Sequence, residues 1–329
     1  MLIAIIDAGT SNTRVFLWED DSILSEAQRP VGVRNTAIDG HNQQLRKAVR
    51  DALHEAAEHA SVQVDEITCV LGAGMITSNV GLTEIPHVTA PISLDELSHA
   101  LVPCHLPEIC AQPIYFVPGI KNIGDDALTA ENFADMDIMR GEETEAAGIL
   151  CEVPERENVV LVLPGSHNKY ISVTAGYVVC GCLTTLAGEL LHALTMHTIL
   201  ADSTDRAFAE VFDEDAFQRG VSYERKFGLG HAAFMARVFR LFGNASSTEA
   251  QNYLLGLLLA DDLAALEASP LFRRLDETTF RIAAAPVMQE AYRSLLENGR
   301  RRIIPLDQKM RHGLSGRGAI VLARKAHLV

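Results

Sequence analysis

The residues best suited to chemistry stand at the start of this 329-residue chain. A continuous apolar run, Leu2 to Ile6, ends in Asp7-Ala8-Gly9-Thr10-Ser11-Asn12, and a second strand-like run, Thr13 to Trp18, follows at once. Gly9 permits a tight turn and lets backbone N–H groups approach a phosphate. Thr10, Ser11 and Asn12 supply further donors. Asp7, at the strand's end, is placed to hold a hydrated magnesium ion, which takes one or two carboxylates and completes its shell with water and phosphate oxygens. A plain hairpin with a solvated aspartate is the alternative these residues leave open. A P-loop would need Gly-Lys-Ser/Thr opening a helix, and the chain contains no such sequence. Gly72/Gly74 and Gly228/Gly230 each lack the third glycine of a dinucleotide fingerprint.

A second unit of this kind begins near the middle. Val159 to Leu163 reads as an apolar strand, Pro164 to Asn168 as a turn, and Lys169 to Val173 as a returning strand. IAIIDAGTSNTRVFLW and VLVLPGSHNKYISV both place glycine and a hydroxyl residue at the turn, with asparagine and a basic residue after it. The repeat implies a duplicated fold, with a boundary near 155: an N-terminal lobe over 1–155 and a C-terminal lobe over 156–329. Metal-ligand spacings are poorer. His54, Glu55 and His59 resemble a zinc-protease helix, but histidines five apart diverge around a helix, and His192 and His197 share the fault. Cys180 and Cys182 alternate on one strand without a second pair at metal spacing, so buried apolar cysteines are the better reading.

These turns need elements to position them. Strand runs recur at Ile23–Gln28, Ile67–Leu71, Ile114–Val117, Tyr177–Leu183, Arg281–Ala285 and Arg302–Leu306. Helical spacing predicts helices over Asn42–Ala60, Gly141–Leu150, Leu186–Leu200, Asp205–Arg219, His231–Phe242, Thr248–Ala268 and Arg317–Ala326. Strands interleaved with helices mean an α/β protein. A net charge of −15 argues against nucleic acid, whose backbone demands a basic face. No apolar run reaches membrane-spanning length, and the first strand carries Asp7 rather than following a basic leader. A cytoplasmic protein is expected, with small molecules as partners and homo-oligomerisation left open.

The first hairpin resembles the leading phosphate motif of the sugar kinase, heat-shock ATPase and actin superfamily. Further segments sharpen this: GAGMITSNVGLTEIPHVTAPISL, FVPGI, DIMRGEETEAAGIL, VLPGSHNKYISV and TTLAGELLHALTMHTIL. In this order and spacing, over roughly the first 200 residues, the chain resembles the 2-dehydro-3-deoxygalactonokinase family. The resemblance implies an actin/hexokinase-like, ribonuclease H-like duplicated fold with a cleft between two lobes. It implies transfer of the γ-phosphate of ATP, with Mg2+, to a terminal hydroxyl of a 2-keto-3-deoxy sugar acid. Asp7 would hold magnesium through water. Gly9, Thr10, Ser11 and Asn12, with Gly165, Ser166, His167 and Lys169, would cradle the phosphates. The superfamily's catalytic acid falls at Arg140-Gly141-Glu142-Glu143-Thr144, with Glu143 the first choice of base and Glu142 the second; two acids capping a helix is the plainer reading. Arg140 and Arg34 are candidates for the sugar carboxylate, Ser78 and Asn79 for its hydroxyls, and Glu189 for magnesium or a helix cap.

One departure stands out. The family's glycine-rich turn, where adenosine lies, corresponds here to Arg281-Ile282-Ala283-Ala284-Ala285-Pro286. Alanine disfavours positive φ and holds a ligand off the backbone. Another sugar or sugar acid as substrate, or a silent sugar-acid-binding regulator, are the competing readings.

Overall fold

The computed structural model describes residues 1–273, 275–297 and 300–329. They form two compact units, one of 1–157, 174–181 and 312–329, the other of 158–173 and 182–311. The first unit thus runs two residues past the boundary near 155, and it also takes the C-terminal segment, which the sequence reading had placed in the second lobe.

In the first unit, Ser22–Arg29, Thr13–Glu19 and Leu2–Ala8 form an antiparallel meander. Leu2–Ala8 then pairs in parallel with Cys69–Gly74, which pairs in parallel with Ile114–Phe116, and Val102–Cys104 closes the edge. The first strand is apolar from Leu2 to Ile6 because both of its faces are covered there. Ala4 and Ile6 pack with Leu45, Val49 and Leu53 of the helix Gln43–His59. Ile3 and Ile5 pack with Trp18 and with Ala319, Ile320 and Ala323 of the helix Leu314–Lys325. That last contact is why the C-terminal segment belongs here.

The second unit repeats the pattern. Val159–Leu163 is antiparallel to Asn168–Thr174 and parallel to Thr279–Ile282, which is parallel to Arg302–Pro305. Val178–Thr185, of which residues 182–185 belong to this unit, lies beyond Asn168–Thr174 in the sheet. Val160 and Val162 pack with Phe280, Ile282, Leu255 and Leu259, the last two from the long helix Ser247–Ala268. Five strands thus follow the same order in both sheets, with the first strand of each hairpin antiparallel to its partner and parallel to the strand on its other side; the sixth strand lies at opposite ends.

Several elements differ from the sequence reading. The helix set at Asp205–Arg219 is Glu214–Phe227, because Asp213 caps it by accepting the Ala216 N–H at 2.9 Å. The strand set at Arg281–Ala285 stops at Ile282, and a short helix, Val33–Asp39, was not anticipated. Cys182 is buried, but Cys180 is only half-buried. Among the described residues no helix is long and apolar enough to cross a membrane.

Candidate active site

The first turn is held from several sides. The Gly9 N–H donates to the Asn12 carbonyl at 2.9 Å, and the Thr13 hydroxyl donates to the Val31 carbonyl at 2.7 Å. The Val33 and Arg34 N–H groups donate to the carbonyls of Gly9 and Thr10 at 3.1 and 3.0 Å. Gly32 allows this approach, since a Cβ there would lie 2.4 Å from the Thr10 oxygen. Thr10 and Ser11 are left exposed, while the Asn12 side chain accepts from Gln28 at 3.2 Å. Arg34, expected in a loop, stands exposed on the short helix Val33–Asp39.

Asp7 is half-buried, opposite Arg14 in the hairpin and beside Ala73 in the parallel pair. Burial pushes its carboxyl above the ordinary range, and the Arg14 charge pulls it partly back. Gly74 follows with φ +83°, and a Cβ there would come within 3.0 Å of Asp7 Oδ1. Gly141, at φ +114°, approaches so closely that its Cβ would lie 3.2 Å from Gly74 Cα. These two glycines keep the space beside the Asp7 carboxylate open.

Gly141 opens the helix Glu142–Leu150. Glu143 is 1% exposed; its Oε2 accepts the Gly141 N–H at 2.7 Å, and its buried Oε1 has no hydrogen-bond partner among the described residues. Burial, then the Glu142 charge, push its carboxyl up to about 8, against the backbone N–H groups and Arg140. Glu142 accepts the Arg140 N–H at 3.0 Å. Glu145, which the sequence reading passed over, is likewise pushed up to about 8 by burial and by the charges of Glu142 and Asp7. Its signal was available, because Glu142 and Glu145 stand three apart on one helix face. The helix is fixed by Thr144, whose hydroxyl donates to the Gly141 carbonyl at 2.6 Å and lies 2.9 Å from the Ser315 hydroxyl. Gly148 and Gly318 let the helices Glu142–Leu150 and Leu314–Lys325 touch; a Cβ on Gly318 would fall 1.7 Å from the Thr144 oxygen.

Arg140 has an unexpected position. Its Nη1 donates to the Thr77 carbonyl at 2.8 Å and to the Thr77 hydroxyl; its Nη2 donates to the Ile85 carbonyl at 3.0 Å and lies 3.1 Å from His87 Nδ1. Both terminal nitrogens are spent on the 77–87 loop. Ser78, 8% exposed, turns inward to the Met75 carbonyl at 2.7 Å, whereas Asn79 is exposed.

In the second unit, Gly165, Ser166 and His167 are exposed at the turn. Glu189, early in the helix Ala187–His197, donates its N–H to the Ser166 carbonyl at 2.9 Å, and its carboxylate lies 3.2 Å from His167 Nε2. Gly188 permits this contact, as a Cβ would meet the Gly165 oxygen at 1.9 Å. Lys169 is not a surface cation: it is 4% exposed, and its ammonium donates to the Thr184 hydroxyl. Asn168 closes the turn, its Oδ1 accepting the Gly165 N–H at 3.2 Å. Its Nδ2 donates to Asp262 at 2.8 Å and Tyr292 at 3.2 Å, and Tyr170 donates to the same Asp262 oxygen at 2.7 Å. Sequence gave no sign of this network, whose members lie up to 124 positions apart.

Beside this turn is a cavity of about 240 Å³, lined by Pro164, Gly165 and Asn168, by Ala187, Gly188 and Leu191, and by Phe208, Leu255, Leu258, Leu259 and Met288. The nearby Ala283-Ala284-Ala285 turn is none of the positive-φ positions. The Ala283 N–H donates to the Val162 carbonyl at 3.0 Å, and Gln289 donates to the Ala284 carbonyl at 2.9 Å. The backbone here requires no glycine. His192 and His197, expected to diverge, have ring centroids 5.2 Å apart, His197 being the last residue of its helix.

A doubled sheet order with a glycine–hydroxyl hairpin in each copy defines the actin/hexokinase-like fold class. The family described as 2-keto-3-deoxy-galactonokinase matches residues 7–316. The 2-dehydro-3-deoxygalactonokinase of Escherichia coli (strain K12) is 27% identical over 269 residues, 79% of each chain. A crystal structure of a candidate 2-dehydro-3-deoxygalactonokinase from Sinorhizobium meliloti is 21% identical and superposes with a TM-score of 0.74, over 98% of this chain and 96% of that one. The protein is a carbohydrate kinase. It belongs to the 2-keto-3-deoxy-galactonokinase family.

Proposed function

We propose that the chain transfers the γ-phosphoryl group of ATP to a terminal hydroxyl of 2-keto-3-deoxygalactonate. The observation that carries this reading is Glu143: a carboxyl 1% exposed, one oxygen fixed by a backbone N–H and the other buried without a partner, in a chain of this family. A carboxylate so placed, with its pKa near working pH, is suited to take the hydroxyl proton as general base. Glu142, tied to the Arg140 backbone, shapes that pKa through its charge and is the lesser candidate.

To Gly9, Thr10 and Ser11 in the first unit, and Gly165, Ser166 and His167 in the second, we assign phosphate contacts. Asn12 and Asn168 hold their turns, and Lys169 braces the second strand through Thr184. The apolar cavity beside Gly165 is read as the seat of the nucleotide's base; its volume is below the about 300–1,000 Å³ of drug-sized sites, which suits a flat ring. Magnesium fits the donor set at Asp7, a carboxylate in a space that a Cβ on Gly74 would fill. When bound, it would neutralise charge on the transferred phosphoryl group. Glu189, engaged with His167, is assigned to bracing the turn. Arg140 is assigned to positioning the 77–87 loop, leaving Arg34 as the carboxylate partner and Asn79, with the backbone near Ser78, as the hydroxyl readers. A cytoplasmic setting suits cysteines that form no disulfide among the described residues, Cys151 exposed among them.

The test is phosphate-ester formation on 2-keto-3-deoxygalactonate with ATP and magnesium, for the wild type beside Asp7→Asn. Turnover in the wild type and its loss in the folded variant are expected. A wild type that binds the sugar acid and consumes no ATP would instead be the silent regulator.

A further inference from the structure

The lining of the cavity beside the second hairpin says how the phosphoryl donor is chosen. Of its eleven lining residues, only Asn168 carries a side-chain hydrogen-bonding group. Both Asn168 heteroatoms are already committed: Oδ1 accepts from the Gly165 N–H, and Nδ2 donates to Asp262 and Tyr292. The same bond occupies the Gly165 N–H. Leucines, Met288, Phe208 and small residues form the rest of the wall.

A purine is recognised in two separable ways. Its flat faces need apolar contact, which this cavity offers; Phe208 is 45% exposed and backed by His192, with ring centroids 6.2 Å apart. Its edge, where adenine and guanine differ, needs fixed polar partners. Sites built to hydrogen-bond a substrate group reject analogues lacking it by roughly 10⁴–10⁵, whereas apolar pockets discriminate by only about 10–200-fold. Among the described lining residues, the one polar side chain, Asn168, is already tied to the turn and to Asp262, which leaves it poorly placed to read the edge.

Resting on the assignment of this cavity to the nucleotide's base, we propose that the enzyme accepts purine nucleoside triphosphates as a class, discriminating by ring size and stacking rather than by the groups on the ring. A pyrimidine, with one ring, fills less of the cavity and forfeits contacts.

The experiment compares kcat/KM for ATP, GTP, ITP and CTP, with formation of the sugar-acid phosphate as the readout. ATP, GTP and ITP are expected within about tenfold of one another, with CTP lower. A preference for ATP over GTP beyond about 100-fold overturns the inference while leaving the kinase assignment intact. No transfer from any nucleotide sinks that assignment, and the inference with it. Leu258→Trp, which narrows the cavity, should raise KM for all three purine donors together and leave KM for the sugar acid unchanged. Unchanged nucleotide KM values in a variant that folds as the wild type does would show that the base lies elsewhere. The donor panel on the unaltered enzyme decides the matter even if that variant fails to fold.

Discussion

Replacing Glu143 by glutamine should cut turnover by about 10²–10⁴ and stabilise the protein, with the stabilisation growing as pH rises. The carboxyl titrates near 4.5 in the unfolded chain and is pushed up to about 8 in the fold. A group raised on folding is fully stabilising below its unfolded pKa, and that contribution is lost as pH climbs through the folded value. Between pH 4.5 and 8 the folded protein therefore takes up a proton that the unfolded chain lacks. At pH 7 the cost is about 3 kcal/mol, at 1.36 kcal/mol per unit. Glutamine keeps an acceptor for the Gly141 N–H and does not titrate. Urea unfolding at pH 5 and pH 7 should show the variant gaining on the wild type by most of that amount. Loss of a general base costs about 10²–10⁴ in rate. For the wild type, kcat/KM for the sugar acid, which reports the free enzyme, should climb with pH until about 8. At pH 7 only about one tenth of Glu143 is ionised. A stability difference independent of pH, or a variant that still turns over at the wild-type rate, would refute the reasoning.

Asp262→Asn should leave the sugar-acid KM unchanged and raise the ATP KM, because Asn168 loses the charged acceptor that fixes its side chain on Gly165; a hydrogen bond to a charged group is worth about 1.5–3 kcal/mol, a tenfold or larger effect. Gly318→Ala places a methyl group 1.7 Å from the Thr144 oxygen; thermal unfolding should fall by several degrees, as for overpacking of about 1–3 kcal/mol, and kcat should fall with it as the Glu143 helix is displaced. Arg140→Lys cannot reach Thr77, Ile85 and His87 together; it should raise the sugar-acid KM and leave the ATP KM unaltered, and an unaltered sugar-acid KM would remove Arg140 from substrate positioning.

What the sequence made legible was local or periodic. The Asp7 turn lies within eight consecutive residues, and the apolar first strand announces burial on both faces. The duplication was readable because each hairpin is short. Lys169 was not, since its burial depends on Thr184 in the neighbouring strand. The anchoring of Arg140 was not legible for a related reason: a basic residue beside acids suggests a ligand, while its partners on Thr77 and Ile85 are mostly carbonyls, which every residue carries. Ideal helical spacing set the His192 and His197 rings too far apart, because His197 stands where the helix ends.

The two hairpins show how one turn chemistry can be put to unlike uses. Aligned on their glycines, Gly9 answers to Gly165 and Asn12 to Asn168, so Asp7 answers to Leu163 and Ala8 to Pro164. The first copy closes its turn with a backbone bond, Gly9 N–H to the Asn12 carbonyl, and keeps an acid at the strand's end. The second closes its turn with a side chain anchored on a buried aspartate, and has a 5%-exposed leucine where the acid would be. Charge is thereby concentrated in the first unit, where burial first, and then the Glu142 charge on Glu143 and the Glu142 and Asp7 charges on Glu145, raise the cost of ionising those two carboxyls. A cation near Asp7 and Glu145 would relieve that repulsion, so both carboxyls should ionise more readily when magnesium is present. The second unit, freed of the acid, offers an apolar wall beginning at Pro164. Asp7→Leu should consequently weaken the magnesium dependence of phosphoryl transfer far more than Leu163→Ala does. The Leu163 change should instead register as lost core packing, of about 2–5 kcal/mol.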